Sequence, residues 1–284
     1  MKQQIITISL AAAMFLLALG LTLYPLISNN YNKKHQSEIH TAYQEQVAQA
    51  EAAEITKARE LAIAYNESIV PGVQMAEAFS NEALLLASED YESQLNLTGS
   101  GIMGYVEVPG ISVTLPIYHG TDADTLEIGI GHLLGSSLPV GGESTHTILT
   151  AHSGMASQKM FSDLDLLKKG DVFYLDVLNE RLAYQVDAIH TVLPYETEHL
   201  GIVSGEDYCT LVTCTPFGVN THRLLVRGTR IPFEEAEEIM EQQPVIEEPT
   251  STWEEKYMDG IITGICIAAV LLVIAGAVWF IRRK

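Results

Sequence analysis

Residues 208–228 decide the fold of this protein, and they read YCTLVTCTPFGVNTHRLLVRG. The stretch holds two runs of strand-forming residues on either side of a short loop that contains proline and glycine. A loop this short joins neighbouring antiparallel strands, so residues equidistant from it lie opposite each other. The sequence therefore brings Cys214 close to His222 and Arg223. Side-chain alternation places only one of those two on the face of Cys214.

The rest of the central region has the same character. From residue 101 onward, short runs of β-branched and aromatic residues alternate with turns that contain glycine or proline. Such a series predicts a mainly β fold, an antiparallel or mixed β-barrel with short helices. The predicted strands cover residues 102–108, 111–118, 145–150, 172–177, 182–192, 209–213 and 222–230, and a short helical segment is predicted at 161–167.

Two uncharged stretches flank this region. The chain has no Asp, Glu, Lys or Arg from residue 3 to 32, and none from 260 to 281. Each stretch is long enough to cross ~30 Å of hydrocarbon as a helix. We therefore predict transmembrane helices at residues 5–28 and 260–281, the first of them an uncleaved signal-anchor. A cleaved signal peptide is the alternative for the first stretch.

The charges are distributed very unevenly. All 36 acidic residues lie between the two uncharged stretches, together with only 12 of the 16 Lys and Arg residues. The positive-inside rule then places both termini, including the basic tail 282–284, in the cytoplasm. We therefore expect a two-pass protein of the cell membrane with an acidic extracytoplasmic domain. Such a domain repels phosphate backbones, which excludes nucleic acid as a partner.

Four segments fill the space between the predicted spans. Residues 35–66 form a predicted helix, either a stalk or a helix packed on the main domain, because apolar residues recur every three to four positions. Residues 67–97 have an irregular pattern. The barrel is assigned to residues 98–232, and the Glu-rich residues 233–259 are interpreted as an acidic tether or solvated helix.

Cys209 and Cys214 would face an oxidising compartment, where a disulfide is the usual state. Five residues of strand separate them by roughly 16 Å and point them to opposite faces, whereas a disulfide needs Cα atoms within about 7 Å. At least one thiol is therefore expected to be unbridged. Cys214 ends its strand next to a cleft, which makes it the candidate nucleophile. Cys266 lies in the second predicted span and is interpreted as an apolar residue there.

His152 also follows a predicted strand, and it is the candidate proton carrier for a thiol enzyme. Three further histidines precede it, but the spacings between the four match no short pair of metal ligands. We therefore predict no metal site and no other cofactor.

Taken together, these motifs resemble the sortase family, and most closely class C, the pilus-assembling sortases of Gram-positive bacteria. The resemblance rests on TLVTC at 210–214 with Arg223 nine residues later, and on LTAHSG at 149–154. It extends through GIMGY at 101–105 and LPIYHG at 115–120, and covers residues 91–230. The two flanking spans also fit class C.

The resemblance implies a closed barrel of about eight strands and a catalytic triad of Cys214, His152 and Arg223. It implies that the Cys214 thiolate attacks the threonine carbonyl of an LPxTG-like sorting signal and forms a thioester, which an amine such as a pilin lysine then resolves. His152 would give a proton to the leaving amine, and Arg223 would stabilise the oxyanion. The neighbouring Leu211, Thr213 and Thr215 are taken as candidate substrate-binding residues.

A lid is the point at which the sequence departs from the resemblance. Class C enzymes usually close the cleft with an Asp-Pro-aromatic motif, whereas the corresponding region here contains Val70-Pro71-Gly72. We expect a lid that is anchored by apolar contacts instead, with Pro71, Met75 and Phe79 as the candidate lid residues.

Three other functions are alternatives to pilus assembly. A sortase that attaches surface proteins to cell-wall peptide would use the same chemistry with a wall amine. A catalytically inactive, membrane-anchored binding domain would form no adduct on Cys214. A papain-like protease is disfavoured, because it needs a helix-borne cysteine and an asparagine that orients the histidine.

Overall fold

The computed structural model describes residues 2–69, 89–242, 253, 255 and 257–266. Eight strands close into a barrel in the order β1-β2-β3-β4-β7-β8-β6-β5, as the resemblance implied. The β2–β3 and β4–β7 pairs are parallel, so the barrel is mixed. The strands are β1 (Ile102–Val108), β2 (Val113–His119), β3 (Ile130–His132), β4 (Thr145–Thr150), β5 (Val172–Val177), β6 (Glu180–Val192), β7 (Asp207–Thr215) and β8 (His222–Ile231).

Helices lie before, between and after the strands. They are α1 (Lys2–Gln49), α2 (Ala52–Ser68), α3 (Glu89–Ser93), α4 (Ala123–Ile128) and α5 (Phe233–Gln242), and residues 257–266 are also helical. Three-residue 3₁₀ helices occur at Pro109–Ile111, Leu164–Leu166 and Glu198–Leu200. The segment predicted as helical at 161–167 therefore contains one such turn, whereas β3 and α4 were not predicted.

Alternation along β7 and β8 separates the barrel interior from its outer face. Leu211 and Val226 belong to the main apolar core inside the barrel. Val212 and Leu225 instead form a second apolar cluster with Leu200, which belongs to the connection between β6 and β7. That connection therefore packs on the outer face of the barrel, on the same face that carries Cys214.

Other elements cover the rest of the outer surface. Tyr43 and Val47 of α1 pack on β1, and Ala62 of α2 is fully buried against the main core. The region predicted as helix at 35–66 is thus two helices packed on the barrel, not a free stalk. Ala236 of α5 is buried on the outer face of β5 and β6. Residues 233–242 therefore form the helix that was one of the two predicted alternatives, but one of its faces packs on the barrel.

No helix among the described residues combines the length and the apolar character needed to cross a membrane. The predicted spans at 5–28 and 260–281 therefore lack support from the described part of the chain, and residues 267–281 lie outside it. The predicted lid residues Pro71, Met75 and Phe79 also lie outside the described residues.

The short strand β3 fits only because it carries a glycine. A Cβ atom added at Gly131 would lie 2.3 Å from the carbonyl oxygen of Gly120. Gly131→Ala should therefore lower the free energy of unfolding by about 1–3 kcal/mol, the usual range for overpacking, as measured by urea denaturation. Gly201→Ala is the matched control, because its added Cβ would have no atom within 4 Å. Equal stability of the two variants would contradict this packing.

Candidate active site

Two neighbouring strands place Cys214 beside Arg223. In the antiparallel β7–β8 pair, Cys214 lies directly opposite Arg223, and Thr215 lies opposite His222. Directly opposed residues have Cβ atoms about 4.5–5.5 Å apart and point to the same face. The thiol and the guanidinium therefore share one face of the barrel, and His222 belongs to the other parity.

The third residue of the site, His152, lies next to the other edge of β7. Strand β4 runs parallel to β7 with Thr150 opposite Val212, and this register continues past the end of β4. The backbone N–H of Ala151 donates to Val212 O at 3.1 Å, and Ser153 Oγ donates to Cys214 O at 2.8 Å. His152 lies between these two attachments, so it stands alongside Cys214 and shares its parity.

The two cysteines of β7 are separated as the sequence predicted. Neither forms a disulfide. Cys209 is fully buried in the barrel interior, and burial raises the pKa of its thiol well above the ordinary value. Cys214 is half-buried on the outer face. Of the two thiols, Cys214 is the one placed for chemistry.

The imidazole of His152 sits in a partly desolvated position. Burial lowers the pKa of His152, while the negative charge of Glu127 acts in the opposite direction. The backbone carbonyl of His152 accepts a hydrogen bond from Phe161 N at 3.1 Å, which closes the loop that follows the histidine. Burial therefore favours the neutral imidazole, which can accept a proton, and the hydrogen bond from Phe161 holds the backbone of His152 in place.

Arg223 is oriented by the turn that precedes it. Its Nη1 donates to Asn220 O at 3.3 Å and to His222 O at 3.1 Å. Asn220 adopts a left-handed conformation with φ of 61°, which turns its carbonyl toward the guanidinium. Because a guanidinium stays ionised and has five fixed donors, Arg223 is suited to stabilise a negatively charged oxygen near Cys214.

Comparison with known proteins identifies the family of this site. The Sortase domain model matches residues 106–231. Sortase C1 of Streptococcus agalactiae is 47% identical over 69% of this chain and 98% of its own, with a TM-score of 0.62. Sortase C of Streptococcus pneumoniae, solved for insight into catalysis and pilin substrate specificity, is 46% identical over 69% and 97%, with a TM-score of 0.65. The chain belongs to the sortase family.

The solved relatives are class C sortases, and homologues at this level support a cysteine transpeptidase. Among curated relatives, sortase D of Bacillus subtilis (strain 168) is 30% identical over 131 residues, which are 45% of this chain and 63% of that protein. This sortase spans 47% to 63% of the length of the curated relatives it matches.

The three predicted substrate-binding residues do not share the face of the sortase site. Leu211 is fully buried in the barrel core, so its side chain is not available to a substrate. Thr213 is also buried, and its Oγ1 donates to Ala151 O at 2.8 Å. Thr213 therefore ties β7 to the segment before His152. Thr215 is half-buried and has the same parity, opposite to that of Cys214.

Two buried histidines that were not candidate site residues hold neighbouring segments on the barrel. His146 donates through Nδ1 to Gly201 O at 2.9 Å and accepts at Nε2 from Thr210 Oγ1 at 2.7 Å, which binds the β6–β7 connection to the barrel. The Nδ1 atom of His132 lies 2.8 Å from the hydroxyl of Tyr91, which bonds α3 to the barrel. Nothing in the pattern of residues around these two histidines indicated that they are buried.

These two histidines predict acid sensitivity. Burial lowers the pKa of His132 and of His146 to about 4, so the unfolded chain binds more protons than the folded one between about pH 6.5 and about pH 4. The free energy of unfolding should fall across that window as pH falls, with a slope of about 1.4 kcal/mol per pH unit for each histidine. Urea denaturation at several pH values measures it. His146→Gln should remove one such slope, and an unchanged slope would contradict the assignment.

Proposed function

We propose that this sortase cleaves an LPxTG-like sorting signal through a thioester on Cys214 and transfers the acyl group to a pilin lysine. The observation that carries this proposal is the register of three strands, which sets Cys214 opposite Arg223 and alongside His152. Thiol, proton carrier and fixed cation are the three groups that acyl transfer by a cysteine requires.

In the first half-reaction, the Cys214 thiolate attacks the carbonyl carbon of the threonine. A C–S bond forms, and the carbonyl oxygen becomes an oxyanion that Arg223 stabilises through its N–H donors. The tetrahedral intermediate then collapses, the threonine–glycine C–N bond breaks, and His152 gives its proton to the departing glycine amine. The product is a thioester on Cys214 and a free amine.

The second half-reaction reverses these roles. The lysine amine attacks the thioester carbonyl, a C–N bond forms, and the C–S bond breaks. His152 accepts the proton that the amine loses, because the group that acts as acid in one direction acts as base in the other. The Cys214 thiolate leaves as the better leaving group, and the enzyme is ready for another cycle.

The choice of pilin over wall peptide rests on the comparisons. Identity to the class C sortases of Streptococcus is 46–47% over most of their length, against 29% to sortase A of Streptococcus agalactiae over 40% of this chain. One of the class C structures is described in terms of pilin substrate specificity. Attachment of surface proteins to wall peptide is the alternative. Membrane anchoring with an extracytoplasmic catalytic domain stays a prediction from the uncharged stretches and the charge distribution.

Replacement of the nucleophile tests the proposal. Cys214→Ala should abolish the high-mass covalent pilin ladders of cells, because no thioester forms. The purified variant should also form no hydroxylamine-labile acyl adduct with an LPxTG peptide, as measured by intact mass. Cys209→Ala is the matched control, since it removes a thiol of the same strand that points into the barrel. Ladders that persist in Cys214→Ala would refute pilin polymerisation.

The geometry of the guanidinium generates a second test. Arg223→Lys keeps the charge but removes the planar fork, so acylation of Cys214 should slow by about 10²–10³, the usual loss for one oxyanion donor. Arg227→Lys is the control on the same strand and face, because Arg227 instead pairs with Asp187 and stacks on Tyr208 at 4.1 Å. Stopped-flow acylation kinetics measure both, and equal rates for the two variants would refute the role of Arg223.

A further inference from the structure

The loop that carries His152 is held by β7 and also by contacts from outside the barrel. We call residues 151–163 the histidine loop; no helix or strand occurs between β4 and the turn at Leu164–Leu166. Within it, Phe161 N donates to His152 O at 3.1 Å and Gly154 N donates to Ser162 Oγ at 2.9 Å. A loop with so little internal structure depends on its surroundings for a fixed shape.

Helix α1 supplies the first of these surroundings. Asn32 Nδ2 donates to Ser157 O at 3.0 Å, and Asn29 Oδ1 accepts from Lys159 N at 3.0 Å. These contacts bind the backbone of the outer half of the histidine loop. They come from residues at the end of the first uncharged stretch of the sequence.

Trp253, which follows the barrel in the sequence, supplies the second set of contacts to the histidine loop. Its side chain is 1% exposed. The indole Nε1 donates to Met155 O at 3.1 Å, and the backbone N donates to Asp163 Oδ1 at 2.8 Å. One residue thus binds the histidine loop near its start and at its end. It lies seven residues before the second uncharged stretch.

The Asp163 carboxylate that Trp253 contacts also forms a buried ion pair with Lys159. Asp163 is fully buried, and its Oδ2 lies 3.0 Å from the ammonium of Lys159. Lys159 Nζ also donates to Ile111 O at 2.8 Å, which fixes the loop to the end of β1. Because the Asp163 carboxylate accepts from Trp253 and Lys159 together, removal of either donor leaves a buried charge less well satisfied.

We propose that Trp253 is a positioning residue for His152, through its two hydrogen bonds to the histidine loop. Met155 stands three residues after His152, and Asp163 stands two residues after Phe161, which bonds to the carbonyl of His152. Loss of the indole removes the bond to Met155 O and the packing of the ring, so the loop between His152 and Phe161 is held less tightly, whereas the backbone N–H of residue 253 still donates to Asp163. The thiol and the guanidinium stay in place, because the β7–β8 register holds them independently.

This arrangement has a specific chemical consequence, which rests on the proposed role of His152 as proton donor. An amine is a poor leaving group and needs a proton as the C–N bond breaks, whereas an alkoxide of low basicity leaves with much less help. A displaced His152 should therefore slow cleavage of an amide more than cleavage of the matching ester. General loosening of the barrel would slow both to the same degree.

The test uses the purified full chain and two LPxTG substrates with the same acyl part. One has the natural threonine–glycine amide, and the other replaces glycine with glycolate to give an ester. In Trp253→Ala, single-turnover acylation of Cys214 by the amide should slow by about 10- to 100-fold, the loss expected for a misplaced catalytic group. Acylation by the ester should stay within about threefold of the unmodified chain.

Two more variants complete the design. Trp253→Phe keeps the ring and the backbone N–H but loses the indole donor, so it should show a smaller slowing, again with the amide only. It also keeps the test decisive where Trp253→Ala does not fold. Met258→Ala changes an exposed residue of the same segment and should match the unmodified chain with both substrates.

The outcomes separate this inference from the function beneath it. Equal slowing with amide and ester, or no slowing in either Trp253 variant, would overturn the positioning role. Failure of the unmodified chain to acylate Cys214 with either substrate would instead overturn the transpeptidase proposal. Selective slowing with the amide supports both.

Discussion

The site depends on the position of β7 between a parallel and an antiparallel neighbour. The antiparallel pair with β8 sets Cys214 opposite Arg223, and the parallel pair with β4 carries the chain to His152. A slip of one residue in either register would move one of these side chains to the opposite face. The bond from Thr213 Oγ1 to Ala151 O and the bond from Ser153 Oγ to Cys214 O fix the parallel register where regular pairing ends. Both the fold and the chemistry thus rest on the same hydrogen bonds.

The pairing of Cys214 with Arg223 could be predicted from the sequence alone, because the two residues lie on strands joined by one short loop. The loop between β7 and β8 is short, so equidistance from the turn identifies Arg223 as the partner of Cys214. The same parity rule assigns Leu211, Thr213 and Thr215 to the face opposite Cys214. They therefore do not line the side of the strand on which a substrate would reach the thiol. Strand β3 escaped prediction because three residues show no periodicity and its partners β2 and β4 lie elsewhere in the sequence. Residues 233–242 were predicted as a tether or a solvated helix because acidic residues dominate them; they form a helix, and its Ala236 packs on the barrel.

Electrostatics set a second constraint. The chain has a net charge of −20, and such a field disfavours a thiolate and an oxyanion alike. Arg223 acts against that field at short range, where screening by water is weakest. Arg227, four residues further along β8 and on the same face, is instead bound to the Asp187 carboxylate. The two arginines therefore differ in their surroundings, because the backbone carbonyls of Asn220 and His222 help to orient Arg223.

The histidine differs from its two partners in the way it is held. Cys214 and Arg223 stand on a hydrogen-bonded strand pair, whereas His152 stands one residue beyond the last bonded position of β4. A group that must give a proton in one half-reaction and accept one in the next benefits from slight freedom, but it still requires a defined location. Hydrogen bonds from β7 hold the histidine loop on either side of His152, and contacts from α1 and from Trp253 hold the rest of the loop. Residues remote from the thiol in sequence thereby become part of what makes the acyl transfer possible.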